Sequence, residues 1–173
     1  HSFPTRRSSD LAADTILSAR TIYIVGIRSC APLASFLAFY LHMIFPDVRQ
    51  VQTNSSSEIF EQMIRITEDD VVIGISFPRY SMRTMKALEF ANSRKAKVIT
   101  ITDSVHSPMN VYAACTLIAK SDMASIVDSL VAPLSVINAL VVALCMKRQA
   151  DVKKTLESME KLWDEYQVYS NDE

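Results

Sequence analysis

The chain has 173 residues, of which 49% are hydrophobic, so it is long and apolar enough for one domain with a single buried core. Its 18 basic and 19 acidic side chains give a net charge of -1, which excludes the strongly basic surface typical of a nucleic-acid-binding domain. Only two glycines occur, which excludes a Walker loop and a GxGxxG dinucleotide fingerprint. The three cysteines are widely spaced and predict buried thiols in a reducing, cytoplasmic compartment, without a disulfide framework.

The N-terminal segment, residues 1–11, is rich in serine and arginine, contains proline and has no apolar periodicity. It is also too polar for a signal peptide. We therefore expect a leader that is non-native or disordered, followed by a folded domain over residues 12–169. Residues 12–19 have helical periodicity and are expected to pack onto this domain as its incoming helix.

Short runs of β-branched residues alternate with helical segments along the rest of the chain. We predict strands at 21–27, 48–51, 71–75, 97–102 and 116–118. Helices are predicted at 32–44, 55–67, 81–92, 129–146 and 151–169. Each crossover between parallel strands has to cover one face of the sheet, so this alternation predicts an α/β domain with a five-stranded parallel sheet.

The two C-terminal helical segments differ in character. Segment 129–146 is apolar over about the length of a membrane span. Because Pro133, Ser135 and Asn138 interrupt it, we expect a helix buried against the sheet and in a subunit interface, with no membrane partner. Segment 151–169 is predicted to be an amphipathic helix, since apolar residues recur there at spacings of three and four: Leu156, Met159, Leu162, Trp163 and Tyr166.

Hydroxyl-rich loops with an arginine follow the first and third predicted strands: Arg28-Ser29-Cys30 and Ser76-Phe77-Pro78-Arg79-Tyr80-Ser81. In a doubly wound sheet of order 2-1-3-4-5, ligands bind beyond the carboxyl ends of strands 1 and 3, where the winding reverses. The second loop opens a helix near Ser81, whose first N–H groups are unpaired and whose dipole attracts anions. The pattern therefore predicts a phosphate site at these two strand ends.

Four segments of the chain resemble the sugar isomerase (SIS) domain, and more closely the SIS effector domain of RpiR/MurR-type bacterial transcriptional regulators: IYIVGIRSCAPLA, VVIGISFPRYSMRTMKALEFA, AKVITITDSVHSPMNVYAACTLIA and DSLVAPLSVINALVVAL. The resemblance implies a three-layer αβα sandwich of the flavodoxin-like SIS fold that binds a phosphorylated sugar, forms a homodimer and requires no cofactor or metal. In such regulators an N-terminal helix-turn-helix domain contacts DNA. That domain is absent from the 173 residues, so we expect the sensing part of a regulator.

The family's phosphate loop commonly runs Ser-x-Ser-Gly-x-Thr, and this chain matches it only in part. Ser76 matches the first serine, and Ser81 supplies a hydroxyl in place of the threonine. Pro78 lacks both the central hydroxyl and an N–H group, whereas Arg79 replaces the glycine with a side chain that can donate two hydrogen bonds to phosphate. Arg28 likewise stands where a second glycine is common. The ligand-binding residues implied are Ser76, Ser81, Arg28, Ser29, Arg79, Thr84 and Ser55.

Two alternatives to a sensor domain remain open from the sequence. A sugar-phosphate aldose-ketose isomerase needs a base to move a proton between adjacent carbons, and Glu58, His106 and Asp103 are the available candidates. A dimerisation module with a decayed ligand pocket is favoured by Pro78 and by the missing glycine. We prefer a non-catalytic sensor with no catalytic residues, in which ligand binding shifts the arrangement of two protomers.

Overall fold

A five-stranded parallel sheet forms the centre of the protein, in the order β2-β1-β3-β4-β5. A computed structural model describes residues 6–52, 55–121 and 129–169. The strands are β1 Ile22–Gly26, β2 Val48–Val51, β3 Val71–Ile75, β4 Lys97–Thr102 and β5 Cys115–Ile118. Every residue of β1 and β3 is buried, as expected for central parallel strands with helices on both faces.

Helices cover both faces of the sheet and complete a three-layer αβα sandwich. The α-helices are α1 Arg6–Leu17, α2 Ala31–Ile44, α3 Ser56–Met63, α4 Met82–Ser93, α5 Val131–Lys147 and α6 Gln149–Glu165, with short 3₁₀ helices at Arg28–Cys30 and Pro108–Tyr112. One core cluster joins α1, α2 and α5 to the sheet, and the other joins α3, α4 and the second 3₁₀ helix to the opposite face. The predicted fold class and strand order are thereby confirmed.

Two of the helix boundaries that differ from the sequence prediction do so for identifiable reasons. Helix α1 begins at Arg6, inside the segment expected to carry no regular element. Its amino end is held by tertiary contact, since the Cys115 thiol on β5 donates to the Ser8 carbonyl over 3.3 Å. Helix α3 ends at Met63, four residues early, because the Thr67 N–H is bound by the Asp70 carboxylate at 2.7 Å instead of continuing the helix.

Helices α5 and α6 meet at a bend of 100°. Within the described residues, no single helix has the length and apolar character needed to cross a membrane, and this pair qualifies only when its two members are taken together. Helix α5 packs one face into the core through Val136, Ile137, Leu140 and Leu144. Helix α6 contains no fully buried residue, so its predicted apolar stripe is only partly covered.

Charged side chains at the amino ends of β1, β2 and β3, which we call the amino edge, pair with one another. Arg20 makes two hydrogen bonds to the carboxylate of Asp70, at 3.1 and 2.8 Å, and Asp70 is completely buried. Thr21 and Arg49 bind Asp47 in the same manner. Burial by itself would raise the pKa of Asp70, but the hydrogen bonds from Arg20 and Thr67 outweigh it and hold that pKa below its usual value.

Candidate functional site

The loop between β3 and α4 holds two of the predicted serines in contact with each other. Ser76 is buried, and its Oγ accepts the N–H of Ser81 at 3.0 Å. Ser81 is the N-cap of α4, and its Oγ accepts the N–H of Thr84 at 3.4 Å. A hydroxyl that accepts one hydrogen bond still has its own hydrogen to donate. Both serines therefore retain a donor that can bind an anion at the start of the helix.

Thr84, one turn into α4, is fully buried, and its Oγ1 has no hydrogen-bond partner in the part of the chain that the structure describes. Buried hydroxyls are usually paired, because an unpaired one costs about 1–3 kcal/mol. This unpaired hydroxyl belongs to the residue whose N–H is capped by Ser81. It marks this end of α4 as less well satisfied than the core around it.

The same loop is fastened to β4 through Tyr80. The Tyr80 hydroxyl donates to Oδ1 of Asp103 at 2.8 Å, and the Thr102 hydroxyl lies 3.2 Å from the same oxygen. Burial, together with the hydrogen bond to the Asp103 carboxylate, raises the pKa of Tyr80. Asp103, a candidate base in the sequence, is thus engaged in holding the loop in place.

Arg28 and Arg79 both adopt the left-handed backbone conformation, with φ values of 59° and 64°. Both arginines stand where the resemblance described above implies a glycine. The backbone at both positions keeps the positive φ that glycine adopts readily. A non-glycine residue in this region carries strain of about 1 kcal/mol or more. Both side chains are exposed at the carboxyl ends of the strands.

A pocket of about 410 Å³ opens between the carboxyl ends of β1 and β2 and the start of α4. It is lined by Gly26, Ile27, Arg28, Ala31, Ser35, Gln50, Val51, Gln52 and Arg83. Gln50 donates from Nε2 to the Ser35 hydroxyl at 2.8 Å, which fixes its amide and leaves its oxygen available. The lining combines guanidinium, amide and hydroxyl groups, a composition suited to a polyhydroxyl anion.

The predicted residues fall into separate places around this pocket. Arg28 lines it, whereas Ser76, Ser81 and Thr84 form the group at the start of α4, and Ser29 and Arg79 are exposed on the two loops. Ser55 lies at the start of α3, with its Oγ 2.9 Å from that of Ser57.

Sequence reasoning missed four polar residues that line the pocket: Ser35, Gln50, Gln52 and Arg83. The two glutamines could have been predicted from the strand order, because it places the end of β2, where they lie, beside the end of β1. Arg83 lies two residues after Ser81, near which the sequence predicts the start of the helix, but the sequence does not indicate that its side chain lines a pocket.

The candidate bases for isomerisation do not line this pocket. Glu58 is exposed in the first turn of α3, and His106 is exposed in the segment after β4. Over the described ranges, no cluster of three or more histidine, cysteine, aspartate or glutamate side chains is arranged to hold a metal ion.

Solved structures with the same fold include regulators and enzymes. The sugar isomerase domain of an RpiR transcription factor from Sphaerobacter thermophilus matches with a TM-score of 0.85 at 23% identity, over 91% of this chain and 87% of that one. The Vibrio vulnificus NanR protein complexed with ManNAc-6P matches at 0.78 and 17%, over 96% and 62%. Phosphoheptose isomerase GmhA from Neisseria gonorrhoeae matches at 0.68 and 15%, over 82% and 87%. At these identities the likeness establishes the fold.

Family comparison is more specific than the structural likeness. The family model described as SIS domain matches residues 15–143, which is most of the chain. No curated protein matches the sequence.

Proposed function

Because the chain belongs to the SIS domain family, we propose that it senses a phosphorylated sugar at the carboxyl ends of β1 and β3. The observation that carries this proposal is the pairing of two features. The serine hydroxyls at the start of α4 offer donors to a phosphate, and the adjoining pocket offers polar side chains to a sugar. The NanR protein, a fold neighbour, has been solved with a phosphorylated sugar, and this supports the ligand class.

The side chains that line the pocket favour binding of the sugar phosphate without turnover. Moving a proton between two carbons needs a base within hydrogen-bond reach of the substrate. The described side chains that line the pocket include no carboxylate and no imidazole, and Asp103 already accepts the hydrogen bond from Tyr80. We therefore assign Glu58 and His106 no catalytic role, and we place the domain among regulators rather than isomerases.

The signal is proposed to pass through a homodimer to a DNA-binding domain on the same polypeptide. Helices α2 and α5 pack together and leave large apolar side chains exposed, with Phe39 at 58%, Val142 at 57% and Met146 at 72%. Such a surface is typical of a subunit interface. Sugar phosphates and DNA are both found in the bacterial cytoplasm, so the proposal also assigns the protein to that compartment.

Ligand binding can be tested by thermal unfolding in the presence of a panel of sugar phosphates. A ligand that binds only the native state raises the melting temperature by mass action. At least one sugar phosphate should raise it, whereas the unphosphorylated sugar should not. No shift with any compound, including inorganic phosphate at high concentration, would support a decayed pocket.

Turnover and oligomeric state test the other parts of the proposal. Conversion of a sugar phosphate to its isomer, lost on Glu58→Gln or His106→Asn, would establish an isomerase instead of a sensor. Sedimentation should find a dimer that Met146→Glu converts to monomers. A monomeric parent chain would contradict the relay through a dimer while leaving ligand binding intact.

A further inference from the structure

We propose that the pocket between β1, β2 and α4 takes a carboxylate of the ligand, so that the sensed compound is a phosphorylated sugar acid. This inference rests on the proposed function and deepens it by assigning a second anionic group to the same ligand. Three observations support it. The described pocket lining is positively charged, its two arginines are unpaired within the described chain, and the serines proposed to bind phosphate do not line the pocket.

Among the residues that the structure describes, the pocket lining is positively charged and contains no acidic residue. Arg28 enters it from the loop after β1, and Arg83 enters it from the second residue of α4. Within the described chain, neither guanidinium makes a hydrogen bond or an ion pair. Arg83 is also half-buried. Partial burial of an uncompensated cation is unfavourable, so an anion that enters the pocket gains more from Arg83 than from a fully solvated arginine.

The pocket is distinct from the place proposed for the phosphate. Ser76 and Ser81, whose hydroxyls face the start of α4, do not line it. Arg83 therefore lines a pocket to which neither Ser76 nor Ser81 contributes. Of the ligands that fill both places, the best match carries an anionic group at each end, with hydroxyl groups between them.

A carboxylate suits the pocket end of such a ligand better than an ammonium group or an uncharged hydroxyl does. The planar guanidinium fork matches the two oxygens of a carboxylate. Gln50, Gln52 and Ser35 supply donors and acceptors for the neighbouring hydroxyls. An ammonium group would meet two like charges and no acid, so amino sugar phosphates are disfavoured. The volume of about 410 Å³ accommodates a chain of five or six carbons.

The test uses ligand pairs that differ only at one end. The first pair is 6-phosphogluconate and glucitol 6-phosphate, which share the phosphate, the configuration and the chain length, and which differ by a carboxylate against a hydroxymethyl group. The second pair is 5-phosphoribonate and ribitol 5-phosphate. Calorimetric titration should find the acid of at least one pair about tenfold tighter or more than its alcohol, the size of a charge-assisted hydrogen bond. Equal affinity of acid and alcohol in both pairs would overturn the inference.

Replacing one arginine then identifies where the carboxylate binds. Arg83→Gln should reduce the acid-to-alcohol ratio towards one while changing the affinity for the alcohol less than threefold. The matched control is Arg94→Gln at the other end of the same helix, where the guanidinium stacks on Phe90 at 5.3 Å, and it should leave the ratio unchanged. Equal weakening of acid and alcohol by Arg83→Gln would make Arg83 a phosphate ligand and refute the carboxylate subsite.

The two proposals fail in different ways in this experiment. If none of the compounds, neutral sugar phosphates included, binds at millimolar concentration, both the proposed function and this inference are wrong. If sugar phosphates bind but glucosamine 6-phosphate binds as tightly as 6-phosphogluconate, the sensing function stands and the carboxylate subsite does not.

Discussion

The two ends of the same strands hold their arginines in opposite electrostatic situations. At the amino edge, Arg20 and Arg49 are paired with Asp70 and Asp47 over 2.8 and 3.1 Å. At the carboxyl edge, Arg28 and Arg83 line an open pocket in which no acidic side chain lies within the described part of the chain. Paired charges contribute to folding, whereas unpaired ones are available for a ligand. The comparison indicates that the amino edge serves the stability of the sheet and the carboxyl edge serves binding.

Among the described residues, the non-glycine residues with a positive φ fall into two groups. Two exposed residues with a positive φ, Lys95 and Gln167, follow the ends of α4 and α6, where a left-handed residue commonly terminates a helix. Arg28 and Arg79 instead follow strands and stand on the two loops of the candidate site. Strain of this kind persists where the surrounding structure compensates for it, and it concentrates at functional sites.

The largest effect on stability is expected at the amino edge, from Asp70→Asn. This change removes the negative charge of a fully buried side chain and puts an amide nitrogen in place of one of two oxygens that accept from Arg20, one of which also accepts the Thr67 N–H. The free energy of unfolding should fall by about 2–3 kcal/mol. Urea denaturation measures this change, and Asp69→Asn at the exposed neighbouring position should stay within about 0.5 kcal/mol. Affinity for a sugar phosphate should be unchanged, and a loss of affinity would contradict the division between the edges.

The loss of stability in Asp70→Asn should also depend on pH. The folded-state pKa of Asp70 lies below the unfolded value of about 3.9, so its carboxylate stabilises the protein above that unfolded value. This contribution is lost as the pH falls through the folded-state pKa. The difference in unfolding free energy between the parent and Asp70→Asn should therefore be constant near neutral pH and shrink below about pH 4. A constant difference across this acid range would show that charge on Asp70 is not its cause.

The sequence predicts the sheet more completely than it predicts the site. The predicted bounds of β2, β3 and β4 are correct to the residue, and the sequence places the start of α4 near Ser81, which is its N-cap. The pocket was harder to predict because Gln50 lies near a half-exposed strand end, where a polar residue is common and does not by itself indicate a binding site. The placement of Arg83 depends on how α4 docks beside β1, which is a tertiary property that no local pattern reports.

The next effect is expected at the carboxyl edge, from Ser76→Ala. The change removes the acceptor of the Ser81 N–H, so the unfolding free energy should fall by about 1 kcal/mol. Affinity for the sugar phosphate should fall by about 1–3 kcal/mol if the Ser76 hydroxyl donates to the phosphate. Ser158→Ala on α6, where the hydroxyl bonds only the Lys154 carbonyl, serves as the control for both measurements. Unchanged affinity would remove Ser76 from the site.

A smaller effect of the opposite sign is expected from Arg79→Gly. Glycine adopts a φ of 64° without steric strain, so the variant should be more stable by up to about 1 kcal/mol, reduced by the greater freedom of glycine in the unfolded chain. Lys95→Gly, at a φ of 63°, should give a similar gain. Only Arg79→Gly should weaken the ligand, by about threefold or more as one exposed charge-assisted contact is lost. Equal affinity in the two variants would show that Arg79 is strained for a reason unrelated to the ligand.

The smallest expected effect is that of Thr84→Val, and its sign tests whether the carboxyl edge is unsatisfied in the free protein. Valine has nearly the shape of threonine and a similar helix propensity, and it removes a buried hydroxyl that has no partner in the described chain. The unfolding free energy should rise by up to about 1 kcal/mol in urea denaturation, whereas Thr100→Val, which removes a hydroxyl bonded to Asn110 at 2.7 Å, should lower it. If the ligand forms a hydrogen bond with the Thr84 hydroxyl, the sugar phosphate should stabilise the valine variant less than the parent. A loss of stability in ligand-free Thr84→Val would show that the hydroxyl already has a partner, and the contrast between the two edges would then rest on the arginines alone.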